Sequence, residues 1–191
     1  MDEYEIFVIN TEMSNSWIKK VYEKIVLIPA TPDEKDLLKK WFSLPHIRRW
    51  WHDGWSEKVY DGVSNNYQNL EIDQTFIVSL DGEYIGMAQV YSELENGTTY
   101  LNAGEQGIRF MIGETRYLNK KIGRSIVKAL AVKIFESASI ERIICEPEVD
   151  NWAAIITLKR SGFRDQGKVK RPGRNVMRLS LVRHLFLSKT N

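Results

Sequence analysis

Gly107-Ile108-Arg109-Phe110-Met111-Ile112-Gly113 is followed, after four residues, by Leu118-Asn119-Lys120-Lys121-Ile122-Gly123-Arg124-Ser125 and an apolar run to Phe135. The pattern predicts a buried strand, a loop rich in amide donors and cations, and then a helix. A helix N-terminus presents unpaired N–H groups and the positive end of its dipole, which together favour a phosphate. The same stretch also fits an ordinary strand-loop-helix unit whose cations are solvated, so both interpretations stay open at this point.

The downstream segment has the pattern of a second strand-helix unit. Ile143-Ile144-Cys145 predicts a strand, Asp150-Asn151 a helix start, and Ser161-Gly162-Phe163 a turn after that helix. This downstream segment favours the ligand-binding interpretation of the first unit.

Several motifs resemble the GNAT N-acetyltransferase superfamily, and within it the aminoglycoside 6'-N-acetyltransferases. The similarity covers roughly residues 25 to 183, and its motifs are Pro45-His46-Ile47-Arg48-Arg49-Trp50-Trp51, Tyr84 to Tyr91, Gly107-Ile108 with Ile112-Gly113-Glu114, Glu146-Pro147, Asp150-Asn151, Ala154-Ile155 and Ser161-Gly162-Phe163. The resemblance implies a single α+β domain with a mixed, mostly antiparallel central sheet flanked by helices. It also implies that the fourth and fifth strands splay apart and that the chain is an enzyme using acetyl-CoA.

The N-terminal half carries clear local signals. Residues 1–24 form an extension with a possible edge strand, and the acetyltransferase domain is expected to span 25–191. Thr31-Pro32-Asp33-Glu34 is a capping box with proline at the first helical position. Two strands near 75–80 and 84–91 flank Asp81-Gly82, which is the strongest hairpin signal in the chain. Residues 56 to about 70 are expected to be helical.

The C-terminal half is predicted as alternating strands and helices. We expect a fourth strand near 106–113, a fifth at 140–145 and a helix at 151–161. Between the two strands, apolar residues at intervals of four indicate an amphipathic helix: Ile122, Ile126, Leu130 and Ile134. A closing hairpin turns at Arg171-Pro172-Gly173-Arg174.

Composition limits the classes of function. The chain has 191 residues, a net charge of +2, one cysteine and three histidines. These numbers exclude an internal disulfide and offer no metal-ligand spacing, and the weak charge does not favour nucleic acid. No apolar run approaches the roughly 20 residues that span a bilayer, and the acidic start lacks a signal-peptide layout. We expect a soluble, cytoplasmic monomer or homodimer whose partner is a small-molecule amine.

The resemblance assigns the coenzyme contacts. It implies that the pantetheine arm pairs with Phe110, Met111 and Ile112 and that the pyrophosphate lies over the amides of residues 120 to 125. The residues of that loop are Lys120, Lys121, Ile122, Gly123, Arg124 and Ser125. Asn151 and Ala154 match positions that bound the pantetheine, although Asn151 also fits an ordinary helix residue beside a capping Asp150.

Three departures from the family pattern bear on activity. The phosphate loop has Leu118 at its first position and Lys121 in place of the inner glycine, which adds a side chain where the backbone approaches phosphate. Leu158 stands where many relatives have a tyrosine that protonates the departing thiolate, so that role is vacant. Arg109 stands where the aminoglycoside branch has an aspartate, and an arginine is neither a base nor a cation site.

A carboxylate from elsewhere must therefore serve an amine acceptor. Glu105 and Glu146 are the candidates, and with Arg109 they form our predicted catalytic set. Trp50 and Trp51 are candidate substrate contacts because an indole face stacks on a sugar or a cation, although both also fit a satellite core. Glu93 is the third candidate substrate contact.

Three functions remain open from sequence. The first is an acetyl-CoA-dependent N-acetyltransferase of the aminoglycoside 6' type, with direct attack of a primary amine on the thioester. The second is an acyltransferase whose amine acceptor carries an anionic group paired with Arg109, as in amino-acid-derived or siderophore-like amines. The third is a coenzyme-binding module that has lost catalysis.

Overall fold

The computed structural model describes residues 24–51, 59, 73–92 and 100–188, so most of the expected 1–24 extension and all of the expected helix at 56–70 except Val59 lie outside the described residues. The described strands are β1 (Ile25–Pro29), β2 (Asp73–Leu80), β3 (Glu83–Tyr91), β4 (Glu105–Ile112), β5 (Arg142–Cys145), β6 (Arg164–Arg171) and β7 (Arg174–Val182). The described α-helices are α1 (Lys35–Phe42), α2 (Pro45–Arg48), α3 (Ile122–Phe135), α4 (Trp152–Arg160) and α5 (Arg183–Leu187).

The described strands form one mixed sheet in the order β1-β2-β3-β4-β5-β7-β6. Every neighbouring pair is antiparallel except β4 and β5, which run parallel with α3 as their crossover. The predicted α+β class with a mostly antiparallel central sheet is therefore confirmed.

The sheet is covered on both faces because successive side chains of a strand point to opposite sides. Ile108 packs with Ile126 and Leu130 of α3 in the larger core cluster. Met111 packs with Trp41 of α1 and Ile47 of α2 in the second cluster. One strand, β4, thus contributes to both cores.

The local signals at the turns are confirmed. The Glu34 carboxylate accepts the Thr31 backbone N–H at 2.8 Å, completing the capping box. Asp81 and Gly82 have φ of 53° and 83°, as expected for the two-residue turn between β2 and β3. Gly173 has a φ of 70° in the closing hairpin, where β6 and β7 pair from Arg171 and Arg174.

Several predicted boundaries were shifted by one or two residues, and the short helices α2 and α5 were missed. The fourth strand begins at Glu105 rather than 106, and the fifth begins at Arg142 rather than 140 because the Ile140 N–H turns back to Ser137. Helix α5 begins directly after β7, with no capping side chain to announce it.

Candidate active site

The site is built around the place where β4 and β5 separate. The two strands pair only through Glu105–Arg142, Gln106–Ile143 and Gly107–Ile144. Beyond Gly107, β4 continues to Ile112 with β3 as its neighbour. The predicted splay of the fourth and fifth strands is therefore confirmed, and it opens a gap on one side of β4.

The register fixes which backbone groups face that gap. The Gly113 N–H donates to the Ile85 carbonyl at 2.8 Å, so these opposed residues form a hydrogen-bonded pair. In an antiparallel ladder such pairs alternate with pairs whose backbone groups point outward. The N–H and C=O of Phe110 and Ile112 therefore face the gap, whereas those of Met111 face β3.

A cleft of about 520 Å³ occupies the gap and extends to the start of α3. Its walls come from α2, β3, β4, the loop before α3, the end of β5 and one face of α4. Among the predicted site residues, those that line it are Trp50, Trp51, Arg109, Phe110, Met111, Ile112, Lys121, Ile122, Gly123, Glu146, Asn151 and Ala154. Those described residues that do not line it are Glu105, Lys120, Arg124 and Ser125. Glu93 lies outside the described residues.

The N-terminus of α3 lacks a side-chain cap. Lys121 is the N-cap residue, and its side chain makes no capping hydrogen bond. Its φ is 62°, a left-handed conformation that costs a non-glycine residue about 1–2 kcal/mol. At this position, where the family has glycine, the backbone adopts the left-handed conformation that glycine adopts easily. Lys121 adopts it at a cost in free energy.

Helix α4 forms the opposite wall. Its cap is Asn151, not Asp150, because the Asn151 Oδ1 accepts the Ala154 N–H at 3.2 Å. A Cβ at Gly123 would come within 3.2 Å of Thr157 Cγ2, so α3 and α4 approach closely there. Leu158 is fully buried and does not line the cleft, and no group at that position can donate a proton.

Glu146 lies at the end of the gap, where two arginines hold it. Arg171 makes two hydrogen bonds to it, Nε to Oε2 at 2.8 Å and Nη2 to Oε1 at 2.6 Å. Arg178 Nη1 donates to Oε1 at 2.7 Å, and its Nη2 donates to Glu105 Oε2 at 2.7 Å. We call Glu105, Glu146, Arg171 and Arg178 the arginine–glutamate network.

Electrostatics keep Glu146 ionised. Burial alone would raise its pKa, but the hydrogen bonds from Arg171 and Arg178 outweigh burial and hold the pKa below its usual value. The carboxylate is therefore charged but already balanced by two guanidinium groups. It is a poor proton acceptor and a poor site for a further cation.

Arg109 lies on the other side of the gap, between aromatic rings. Its Nε donates to Gln89 Oε1 at 2.6 Å. Its guanidinium carbon lies 4.9 Å from the Tyr91 ring centroid and 5.8 Å from that of Trp51. Trp51 also packs edge-on against Phe42, so the aromatic loop contributes both to the core and to the cleft wall.

Among the cleft residues that the predicted site did not include are His46 and Tyr91. His46 belongs to a quoted motif, and its Nε2 lies 3.0 Å from the Ile112 carbonyl oxygen at the open edge of β4. Tyr91 lines the cleft although it is only 3% exposed. The signal for both was their place in a motif, but the sequence alone gives no distance between residues so far apart in the chain.

The fold, the parted strands and the capless helix beside them define a GNAT-type acyltransferase site. The Acetyltransferase (GNAT) domain family model matches residues 31–171, and the chain belongs to that family, which confirms the resemblance found in the sequence. Aminoglycoside N(6')-acetyltransferase type 1 of Klebsiella pneumoniae is 26% identical over 172 residues, which are 86% of each chain.

Solved structures are similar over the same range. The AAC(6')-Ib structure in complex with paromomycin and acetyl-CoA has a TM-score of 0.79 at 24% identity, covering 88% of this chain and 98% of that chain. A protein from Bacillus halodurans has a TM-score of 0.77 at 17% identity, covering 98% of this chain and 95% of that chain. At these identities, the structures support the fold.

Neither a metal site nor a membrane-spanning helix is found among the described residues. No group of three or more histidine, cysteine, aspartate or glutamate side chains in the described part of the chain is arranged to hold a metal ion. No described helix is long and apolar enough to cross a membrane.

The arginine–glutamate network should contribute strongly to stability. Arg178→Met leaves Glu105 and Glu146 buried with fewer partners, and breaking a buried pair costs about 3–5 kcal/mol. Lys159→Met is the control, because its partner Asp165 is partly exposed and such pairs contribute about 1 kcal/mol or less. Urea unfolding at pH 7 measures both changes.

The same network predicts acid sensitivity. The Glu146 pKa is lowered in the folded state, so its contribution is present above the unfolded carboxyl pKa and is lost as pH falls through the lower folded value. The difference in unfolding free energy between the wild type and Glu146→Gln should therefore shrink below about pH 4. A difference that stays constant down to pH 2 would contradict this assignment.

Proposed function

We propose that this chain is an acetyl-CoA-dependent N-acetyltransferase that transfers the acetyl group directly to a primary amine, with aminoglycosides as the first candidate acceptors. The observation that carries the proposal is the gap between β4 and β5, which leads along an unpaired strand edge to the capless N-terminus of α3. The aminoglycoside 6'-N-acetyltransferases among the relatives supply the candidate acceptor. Dependence on acetyl-CoA assigns the activity to the cytoplasm.

The coenzyme fits this gap as an added strand. The outward backbone groups of Phe110 and Ile112 supply donors and acceptors for the amides of the pantetheine arm. Met111 also lines the cleft, but its backbone groups face β3, so the register does not support the predicted pairing of its backbone with the pantetheine arm. Asn151 and Ala154 line the same wall from α4.

The pyrophosphate end fits the start of α3. Ile122 and Gly123 line the cleft there, and no side chain caps their helix. Lys121 adds a cation at the same end. Arg124 does not line the cleft, although its Nε is buried without a hydrogen-bond partner among the described residues, so its contact with the pyrophosphate stays a prediction. Lys120 and Ser125, the other predicted contacts of this loop, do not line the cleft, and we propose no coenzyme contact for Lys120.

In the proposed reaction, this chain positions the substrates and needs no covalent intermediate. The amine nitrogen attacks the thioester carbon, and the carbon–sulfur electron pair departs with the coenzyme sulfur. The proton lost by the amine leaves to water. Trp50 and Trp51 form the acceptor side of the cleft, where an indole face can stack on a sugar ring.

A second acceptor class, an amine that also carries a carboxylate or phosphate, is favoured by the charges of the cleft. Arg109 and Arg174 line it, and Glu146 is balanced by two arginines. A polycationic aminoglycoside would meet few uncompensated carboxylates among the described residues. An anionic group would instead find a guanidinium positioned by Gln89.

Coenzyme binding should depend on Lys121 and on salt. Lys121→Met is expected to weaken acetyl-CoA binding by about threefold to tenfold, because one charge near a phosphate at the surface contributes about 1 kcal/mol. Lys120→Met is the matched control and should change affinity by less than about twofold on the same scale, since Lys120 does not line the cleft. Calorimetry at low and high salt measures both, and affinity should fall as salt screens the charges.

Equal effects of the two lysine substitutions would contradict the placement of the pyrophosphate. Absence of acetyl-CoA binding by the wild type at low ionic strength would overturn the proposed function itself.

Arg109 should decide the acceptor. With aminoglycosides, Arg109→Asp is expected to raise kcat/KM by at least about threefold, because it replaces a repelling charge with a cation site. With an anionic amine, Arg109→Asp and Arg109→Met should both abolish activity, because the guanidinium partner is gone. A thiol-release assay with both amine classes separates the two acceptors.

If neither variant changes either activity by threefold, Arg109 is not at the acceptor. Coenzyme binding without turnover on any amine would instead support a coenzyme-binding module.

A further inference from the structure

Tyr91 crosses beneath β4 at the point where the gap begins. Tyr91 and Gly107 are directly opposed in the β3–β4 ladder, so their side chains share one face of the sheet. A Cβ added at Gly107 would overlap the Cε2, Cζ and Cδ2 atoms of the Tyr91 ring. The Tyr91 ring therefore occupies the space that a side chain at position 107 would fill. Gly107 leaves that space open.

Because the Tyr91 side chain extends from β3 across β4, its hydroxyl lies toward β5. Four charged or ionisable groups affect the pKa of Tyr91. They are Arg109 of β4, Cys145 of β5, Glu146 directly after β5 and Arg174 of β7. Cys145 and Glu146 come directly after Ile144, the last residue of β5 that pairs with β4. The Tyr91 hydroxyl thus lies at the head of the gap, at the end opposite to α3.

The Tyr91 hydroxyl has no hydrogen-bond acceptor among the described residues. Tyr91 is 3% exposed and lines the cleft, yet none of its contacts with the described residues is a hydrogen bond. Burial raises the pKa of Tyr91 far above its usual value, so the hydroxyl keeps its proton at any working pH. The hydroxyl is not among the fully buried unpartnered atoms of the described residues, so it is open to the cleft, where a ligand atom can accept its hydrogen bond.

The direction of the coenzyme identifies that atom. With its phosphates at the start of α3 and its arm along Ile112 and Phe110, the coenzyme ends toward Gly107, where β4 and β5 meet. Its sulfur is the last atom before the acetyl group. We infer that the Tyr91 hydroxyl donates a hydrogen bond to the coenzyme A sulfur and stabilises the thiolate that departs.

This inference rests on the proposed function and supplies the group missing at Leu158. When the amine forms its bond to the acetyl carbon, the carbon–sulfur bond breaks and the electron pair stays on sulfur. Tyr91 keeps its proton and shares it through the hydrogen bond, and the thiolate takes a proton from water on release. The Arg109 guanidinium over the ring adds positive charge beside the same site.

Tyr91→Phe tests this role because it removes the hydroxyl and keeps the ring over Gly107. We expect kcat for amine acetylation to fall about 10²-fold, the effect of removing one donor to developing charge, with acetyl-CoA affinity unchanged. The pKa of the bound coenzyme A thiol, followed by thiolate absorbance in the binary complex, should rise by about 1–2 units. Tyr84→Phe is the control, since Tyr84 lies on the same strand with 38% of its surface exposed.

The two measurements, turnover and the pKa of the bound thiol, distinguish failure of this inference from failure of the proposed function. An unchanged thiol pKa in Tyr91→Phe overturns the inference, even if turnover falls. Loss of acetyl-CoA binding in this variant also overturns it, because the residue would then serve the fold alone. A wild type that acetylates no amine but shows the expected thiol shift refutes the proposed function and supports the contact between Tyr91 and sulfur.

Discussion

The early end of the pairing between β4 and β5 is the constraint on which the site depends. After Gly107 and Ile144, the two parallel strands no longer share hydrogen bonds, and one edge of β4 keeps its donors and acceptors for a ligand. An open edge inside a sheet is costly unless something fills it, because buried backbone groups need partners. The chain belongs to the GNAT acetyltransferase family. The open edge of β4 is the part of this fold with which an acyl-CoA can pair.

Around this opening, charge is arranged in an unusual way for an amine-acetylating site. The acidic position at the end of β5 is present as Glu146, but the arginine–glutamate network balances it and ties it to β6, β7 and the first residue of β4. Arg109 takes the place of an acid on β4 and is positioned by Gln89 and two aromatic rings. The Glu146 carboxylate therefore contributes to the architecture of the cleft, and under the proposed function the Arg109 guanidinium selects the acceptor.

Much of this could be predicted from sequence because its signals are local. The capping box at Thr31, the Asp81-Gly82 turn and the apolar period of α3 depend on residues a few positions apart, and the structure confirms each. Most of the site residues indicated by the family motifs line the cleft. Lys121 is the instructive case, since its substitution for glycine was visible in sequence while the left-handed backbone beneath it was not.

What could not be predicted depends on pairs far apart in the chain. Glu105 fitted a catalytic base until the fold brought Arg178 to it, 73 residues later, and removed it from the cleft wall. The place of Tyr91 in a motif did not reveal its contact with Gly107, because that contact depends on the neighbouring strand and on a gap that only the sheet order creates. A crystal structure with coenzyme A bound tests the account most directly. We expect the pantetheine arm to pair with the outward backbone groups of Phe110 and Ile112, with its sulfur within about 3.5 Å of the Tyr91 hydroxyl, the usual reach of a hydrogen bond to sulfur. A coenzyme seated elsewhere, or a β4–β5 gap left empty beside it, would contradict the account.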